Sequence, residues 1–234
     1  MWRYFSSLLM LILVGTSLPA FAQSESDSVR VREKKDWKPS AIRVGTELTG
    51  PVFGLFNKDY FQWELTADVD FHRYFLVVDY GYEERIREGQ NFRFETSGNY
   101  WRAGVDMNFL TTDPSRSVLY FGMRAAGSTF SGDLTFMESD SLLFGDGTVN
   151  YTFDKYTATW GEALVGLKVQ VLNNVYLGLA GRFKFAININ GGLAVSAYEV
   201  PGFGVADDNS SFALDYYIYY RIPWRNKGIP PKKK

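Results

Sequence analysis

The feature that most constrains the fold of this chain is an alternation of apolar and polar side chains between residues 61 and 82. Odd-numbered positions are apolar up to Phe71, whereas even-numbered positions are apolar from Tyr74 onward. Because successive side chains of a β-strand point to opposite faces, this period of two predicts two antiparallel strands, each with one apolar face. The change of parity between them predicts a tight hairpin at His72 and Arg73.

The same alternation recurs in further segments, and no helical period of useful length separates them. These segments are residues 41–49, 100–110, 118–127, 161–171, 175–190 and 212–222. Eight antiparallel strands are therefore expected. The predicted connections are short near residue 72 and at 111–116 and 172–174, and long at 50–60, 85–98, 129–157 and 190–210. Short turns at one end and long loops at the other are typical of an up-and-down transmembrane β-barrel.

Two barrels of opposite polarity fit the alternation. In an outer-membrane barrel the apolar face meets lipid and the polar face lines the lumen, whereas a soluble lipocalin-like barrel is apolar inside. Aromatic residues make up 17% of the 234 residues, and the expected strands approach the length of about 9–11 residues that a tilted membrane strand needs. The loop asymmetry and the aromatic content favour the outer-membrane barrel.

The polar face carries acidic and basic side chains in nearly equal number. Eight strands leave an interior that side chains just fill, so opposite charges are expected to pair there. We therefore predict a lumen closed by ion pairs rather than a wide pore. The expected members of this network are Glu64, Asp68, Arg102, Asp106, Arg124, Glu162, Lys168, Arg182 and Asp215.

Aromatic residues cluster toward the ends of the expected strands, while many strand centres carry Val, Leu or Ala. Membrane barrels place aromatic girdles at both lipid–water interfaces, although aromatic residues also favour strands in general. The expected girdle residues are Tyr60, Phe61, Tyr74, Tyr82, Trp101, Phe109, Phe212, Tyr220 and Trp224.

The first 22 residues have the features of a secretory signal peptide. Arg3 precedes the apolar run SLLMLILVG, and the small residues of AFA lie before an expected cleavage site near Ala22–Gln23. The apolar run is shorter than the roughly 20 residues of a membrane-spanning helix, which disfavours the alternative of an uncleaved anchor. We expect a signal peptide at 1–22, a flexible periplasmic leader at 23–40, the barrel at 41–224 and a basic periplasmic tail at 225–234.

The sequence offers little chemistry. The chain has no Cys and one His, which excludes thiolate sites and multi-histidine metal sites, and its net charge of −1 does not favour nucleic acid. A carboxylate pair such as Asp68 and Asp70 has the chemistry of a general acid and base, but ion pairing is the simpler role. We predict no catalytic residue, cofactor site or metal site. Within 129–157, Gly145–Asp146–Gly147 is interpreted as a hairpin turn that pairs Thr148–Phe153 with Asp133–Met137.

The ending YYRIPWRNKGIPPKKK, residues 219–234, resembles that of an uncharacterised family of outer-membrane barrels of Bacteroidota. Members of that family have a signal peptide, a similar length, and a closing strand followed by a basic, proline-rich tail. The resemblance implies an outer-membrane barrel and no known activity, so it assigns no functional residues.

The expected function is a structural or interaction barrel with a filled lumen and long external loops. A small porin-like channel, a lipid-modifying enzyme and the soluble lipocalin-like carrier are the alternatives. The expected partners are outer-membrane lipid, the barrel-insertion machinery during biogenesis, and an extracellular ligand bound through loops 129–157 and 190–210.

Overall fold

The computed structural model describes residues 37–110, 117–140, 145–190, 199–205 and 209–225. Its elements are β1 (Ala41–Glu47), α1 (Thr49–Phe56), β2 (Tyr60–Phe71), β3 (Tyr74–Glu88), β4 (Phe92–Asn108), β5 (Val118–Asp140), β6 (Gly145–Leu172), β7 (Val175–Asn190), β8 (Glu199–Val200), β9 (Gly204–Val205) and β10 (Ser210–Pro223). The predicted signal peptide, leader residues 23–36 and tail residues 226–234 lie outside the described residues.

Eight strands close into an antiparallel barrel in the order β1-β10-β7-β6-β5-β4-β3-β2. The strands follow one another around the ring, and β1 closes it by pairing with β10. The two-residue strands β8 and β9 pair only with each other, between β7 and β10 in the chain. The predicted eight-stranded up-and-down barrel is therefore confirmed. Among the described residues, no helix is both long and apolar enough to cross a membrane.

The hairpin predicted at His72 and Arg73 is present. Phe71 pairs with Tyr74, and His72 has a φ of 62°, in the left-handed region that tight two-residue turns use. The change of side-chain parity along this part of the chain is the direct consequence of that turn.

The strands at one end of the barrel are much longer than predicted. β5 has 23 residues and β6 has 28, against the roughly 9–11 that a membrane strand needs. Asp133 pairs with Thr152 and Met137 with Thr148, so the predicted pairing of these segments is confirmed. The turn predicted at 145–147 is wrong, because β6 already begins at Gly145. Residues 129–157 are thus mainly the two strands of a projecting hairpin, not a loop.

The loop predicted at 85–98 is also wrong. β3 ends only at Glu88 and β4 already begins at Phe92, so three residues connect them. Polar residues such as Glu88 and Thr96 were interpreted as loop residues. Beyond the apolar band of a barrel the outer face of a strand meets water instead of lipid, so the apolar–polar alternation of the sequence is lost there although the backbone pairing continues.

The long loop predicted at 50–60 contains the helix α1, which the sequence did not predict. The Glu47 carboxylate accepts the Gly50 N–H at 2.9 Å, and Pro51 occupies the first turn, where its missing N–H costs nothing. The helix has only eight residues, TGPVFGLF, and they are nearly all apolar, so they show no one-sided helical period.

The two faces of the barrel wall differ sharply. Val165, Leu167 and Val169 on β6 point outward and are exposed, whereas Glu162 and Lys168 on the same strand point inward and are buried. An apolar exterior and a charged interior are the reverse of a lipocalin-like barrel. The lipocalin-like alternative, which requires an apolar interior, is therefore excluded by the direction of the side chains.

Candidate functional site

The lumen is crossed by ion pairs between side chains of different strands. Arg102 on β4 binds the carboxylate of Glu64 and places its Nε 3.0 Å from Glu162 Oε1. The other oxygen of Glu162 lies 2.9 Å from Nη1 of Arg182, which also binds Asp215. One carboxylate therefore joins two arginines, and this chain of contacts spans the interior from β2 to β10.

A second group of ion pairs lies deeper, toward the short turns. Arg124 on β5 binds Asp79 through Nη1 at 2.8 Å and Asp106 through Nη2 at 2.9 Å. Lys168 Nζ lies 2.7 Å from Asp68 Oδ2 and 3.5 Å from Asp106 Oδ2. A buried charge needs an opposite charge or several hydrogen bonds, and each of these groups has such a partner.

All nine residues that the sequence placed in the lumen network belong to one connected set of contacts, which we call the ion-pair layer. Arg182 links its two parts, since Nη1 lies 3.8 Å from Asp79 Oδ2 and Nη2 lies 3.6 Å from Glu64 Oε1. Asp79 and Arg43 belong to it as well. The described members of the layer are 7% exposed or less, except Asp215, whose side chain is 17% exposed.

Aromatic residues donate hydrogen bonds to the ion-pair layer. These contacts were not predicted from the sequence. The hydroxyl groups of Tyr100 and Tyr217 donate to the two oxygens of Glu64 at 2.9 and 3.0 Å. Trp160 Nε1 donates to Glu162 at 2.8 Å. None of these three was among the expected girdle residues, and the parity of each strand places all three on the inner face.

Residues 199–205, which we call the inward segment, fold back into the barrel. The carbonyl oxygen of Gly202 accepts hydrogen bonds from Arg102 Nη2 at 3.0 Å and from Lys184 Nζ at 2.8 Å. The Gly202 N–H donates to Glu83 Oε2 at 2.7 Å. Gly202 has a φ of 80°, and an added Cβ would lie 2.5 Å from the Tyr100 ring, so this close approach requires glycine.

The inward segment is also held by an apolar anchor and by ion pairs. Phe203 is 1% exposed, and its ring centroid lies 5.7 Å from that of Trp160. Glu199 is equally buried and binds both Arg85 and Arg87. The segment lies in the predicted external loop 190–210, whose residues 191–198 and 206–208 are outside the described residues. The prediction of an exposed loop is wrong for residues 199–205, because their apolar and acidic side chains contact partners inside the barrel.

A cavity of about 540 Å³, which we call the vestibule, lies between α1, the inward segment and strands β2, β3 and β10. Arg102 of the ion-pair layer forms part of its lining, so the layer separates the vestibule from the short-turn end. Its charged lining is balanced: Glu47, Asp59, Glu83 and Asp215 against Arg85, Arg87, Arg102 and Lys184. Among the described residues, no group of three or more potential metal ligands is present.

Eight of the nine expected girdle residues lie on the outer face of their strands or, for Phe109 and Trp224, exposed just after β4 and β10. These are Phe61, Tyr74, Tyr82, Trp101, Phe109, Phe212, Tyr220 and Trp224. Tyr60 was assigned wrongly. It shares the inner face with Gln62, lines the vestibule, and lies under the Arg85 guanidinium, whose carbon is 4.4 Å from the ring centroid.

The last residues of the predicted flexible leader contact the barrel. Trp37 stacks on Tyr74 with a centroid distance of 6.2 Å, and the Pro39 carbonyl accepts the Trp224 indole N–H at 3.2 Å. The Ser40 N–H donates to Asp70 Oδ1 at 2.6 Å. The ordered domain therefore begins before Ala41, at the short-turn end.

These features define a closed eight-stranded antiparallel β-barrel with an apolar exterior and an ion-paired interior. The chain belongs to the family described as Domain of unknown function (DUF6048), whose model matches residues 1–227. Among solved structures it is similar to Neisserial surface protein A (NspA), with a TM-score of 0.38 and 16% identity over 78% of this chain and 94% of that chain. No curated protein matches the chain.

Proposed function

We propose that this protein is an exported outer-membrane β-barrel with a lumen closed to steady ion flow, and that it serves as a structural or interaction barrel. The outward apolar face supports the membrane placement, because a surface this apolar is stable next to lipid and not next to water. Every strand of the closed ring has a hydrogen-bonded neighbour on both sides over at least part of its length, and a membrane barrel requires such a closed ring.

The observation that carries the closed lumen is the ion-pair layer. A steady current needs a continuous water-filled path, as in the larger porin barrels. Here Arg102, Arg124 and Arg182 extend across the interior to carboxylates on other strands, and their side chains are 2–3% exposed. The inward segment covers the same interior from the long-strand end.

The hairpin of β5 and β6 is the proposed surface for an extracellular partner. It carries exposed aromatic side chains, among them Tyr151 at 52% and Phe136 at 42% exposure, with an edge-on contact between the two rings. Aromatic side chains are enriched in binding surfaces because they offer a large contact area at low entropic cost. Outer-membrane lipid and the barrel-insertion machinery are the further proposed partners, and we propose no catalytic activity.

Membrane fractionation and conductance test these proposals separately. The mature chain is expected to remain in the membrane pellet after alkaline carbonate washing and to migrate differently on a gel when it is not boiled. Recovery in the soluble fraction would contradict the membrane placement. In planar bilayers the refolded barrel is expected to give no steady current. Large, stable channels would instead favour the small porin-like alternative.

A further inference from the structure

The barrel wall is interrupted beside its shortest strand. β1 has seven residues, and its pairing ends at Tyr217 on β10 and at Leu65 on β2. β10 nevertheless continues back to Ser210 and β2 to Tyr60. At the long-strand end, these two strands therefore face each other, and no strand of the described residues lies between them.

Helix α1 covers only one side of this interruption. Gly50 and Gly54 lie against β2, where an added Cβ would come within 2.8 Å of Gln62 and 3.0 Å of the Tyr60 carbonyl oxygen. On the other side, the hydrogen bonds that join Leu48 and the start of α1 to β10 end at Tyr216. Its carbonyl accepts the Leu48 N–H at 2.8 Å and its N–H donates to Thr49 Oγ1 at 3.0 Å. Beyond it, β10 residues 210–215 have no strand partner on this edge within the described part of the chain.

The vestibule passes through the resulting gap between α1 and β10. Its lining includes Ala213 and Asp215, which point inward, and also Phe212 and Leu214, which point outward. Consecutive residues of both parities line the cavity, so the vestibule reaches the unpaired edge of β10. Among the described residues no strand closes this edge, so the vestibule is open sideways there, between α1 and β10.

An apolar groove of about 420 Å³ lies directly outside the gap. It shares Thr49 and Phe53 with the vestibule, and its other lining residues include Val52, Leu177 and Tyr216. Both cavities fall in the range of about 300–1,000 Å³ that is usual for small-molecule sites. An apolar groove joined to a charged cavity has the polarity of an amphiphile, with a hydrocarbon chain at one end and a polar headgroup at the other.

We propose that this gap binds a membrane amphiphile sideways, with a hydrocarbon chain in the groove and a zwitterionic headgroup in the vestibule. The balanced charges of the vestibule favour a headgroup that carries both signs over one with a net charge. Arg85 lines the vestibule, and its side chain remains 25% exposed, so its guanidinium is accessible to an anionic group there. The proposal rests on the membrane placement proposed above. Because the ion-pair layer closes the lumen below the vestibule, the amphiphile would bind there without passing through the barrel.

Photo-crosslinking with a lysophosphatidylcholine that carries a diazirine in its acyl chain tests this site on the refolded mature chain. We expect saturable labelling of peptides from α1 and from β10 around Tyr216, and competition by unlabelled lysophosphatidylcholine. Anionic lysophosphatidylglycerol lacks the cationic group that the acidic lining would bind, so it should compete about tenfold more weakly. Equal competition would overturn the zwitterionic headgroup.

Two matched substitutions locate the chain-binding groove. Leu177→Trp fills the groove and is expected to reduce labelling by about tenfold or more. Leu167→Trp, on the same outer face of the neighbouring strand but outside the groove, is expected to leave it unchanged. If Leu177→Trp does not fold, Val52→Trp fills the groove from the exposed helix. Labelling spread evenly over the outer face, or insensitive to a folded groove-filling variant, would overturn the proposal. Heat-dependent gel migration reports the barrel independently, so loss of labelling is distinguishable from loss of the membrane fold.

Discussion

Arg102 and Gly202 lie 100 residues apart in the chain and are joined by a hydrogen bond of 3.0 Å from the guanidinium Nη2 to the carbonyl oxygen. Arg102 belongs to the barrel wall and pairs there with Glu64 and Glu162. Gly202 belongs to the inward segment. The Arg102 side chain therefore connects the ion-pair layer to the inward segment that covers it.

Removal of an arginine from the ion-pair layer should destabilise the barrel strongly. Arg182→Ala leaves Glu162 with one cation fewer and deprives Asp215 of its partner, at an expected cost of about 3–5 kcal/mol in the free energy of unfolding. Arg93→Ala is the control, because its pair with Glu88 is exposed and should contribute about 0–1 kcal/mol. Urea titration of the refolded proteins measures both values. Equal effects of the two substitutions would show that the lumen is hydrated.

The inward segment should protect the interior beneath it from reagents in water. The chain has no cysteine, so Ala158→Cys, at a buried position in the Phe203 cluster, introduces a single thiol. It should react slowly with a soluble maleimide. Adding Phe203→Ala removes an anchor with a burial energy of about 3 kcal/mol and should accelerate the reaction more than about tenfold.

Val149→Cys, at an exposed position on the projecting hairpin, is the control for this accessibility experiment. It should react rapidly with the maleimide in both backgrounds. Fast labelling of Ala158→Cys without the Phe203 substitution would mean that the segment does not cover the lumen in solution.

An arginine on the outer face of β6 should destabilise the barrel by an amount that depends on its depth in the bilayer. Leu167 lies in the middle of the apolar exterior, and Leu167→Arg should cost about 2–4 kcal/mol if that position lies at the bilayer midplane. Leu172→Arg, at the end of the same strand beside the turn, should cost about 0–1 kcal/mol, as positions near an interface do. Folding titrations in lipid vesicles compare the two. A reversed order would place the apolar band elsewhere on the barrel.

Gly166 on the inner face should be needed for space, whereas Gly181 on the outer face should not. A Cβ on Gly166 would lie 2.6 Å from the Leu179 carbonyl oxygen and from the Tyr120 ring. Gly166→Ala should therefore cost about 1–3 kcal/mol through overpacking. On Gly181 the nearest atom would be 3.8 Å away, so Gly181→Ala should change stability by no more than about 0.5 kcal/mol. Thermal or urea unfolding of both variants provides the measurement, and equal stabilities would contradict tight packing around Tyr120.

The alternation of side chains predicted the barrel and the face of most of its residues. It is a local property, because a strand turns successive side chains to opposite sides whatever its neighbours are. Glu162 and Lys168 could therefore be placed in the lumen, and Val165 and Leu167 outside, before any pairing was known. Tyr60 was misplaced because its position at a strand end was given more weight than its parity.

The individual contacts depended on ring closure, which no local pattern specifies. Which carboxylate binds Arg102 follows from the register and curvature of eight strands, and its partners Glu64 and Glu162 are 38 and 60 residues away in the chain. The inward segment had no strand or helix period, and its position depends on side chains from β3, β4 and β7 that meet only in the closed barrel. The lateral gap likewise arises because β1 has only seven residues, while both of its neighbours continue. Side-chain direction is decided residue by residue, but a cavity exists only where distant parts of the chain fail to fill the space between them.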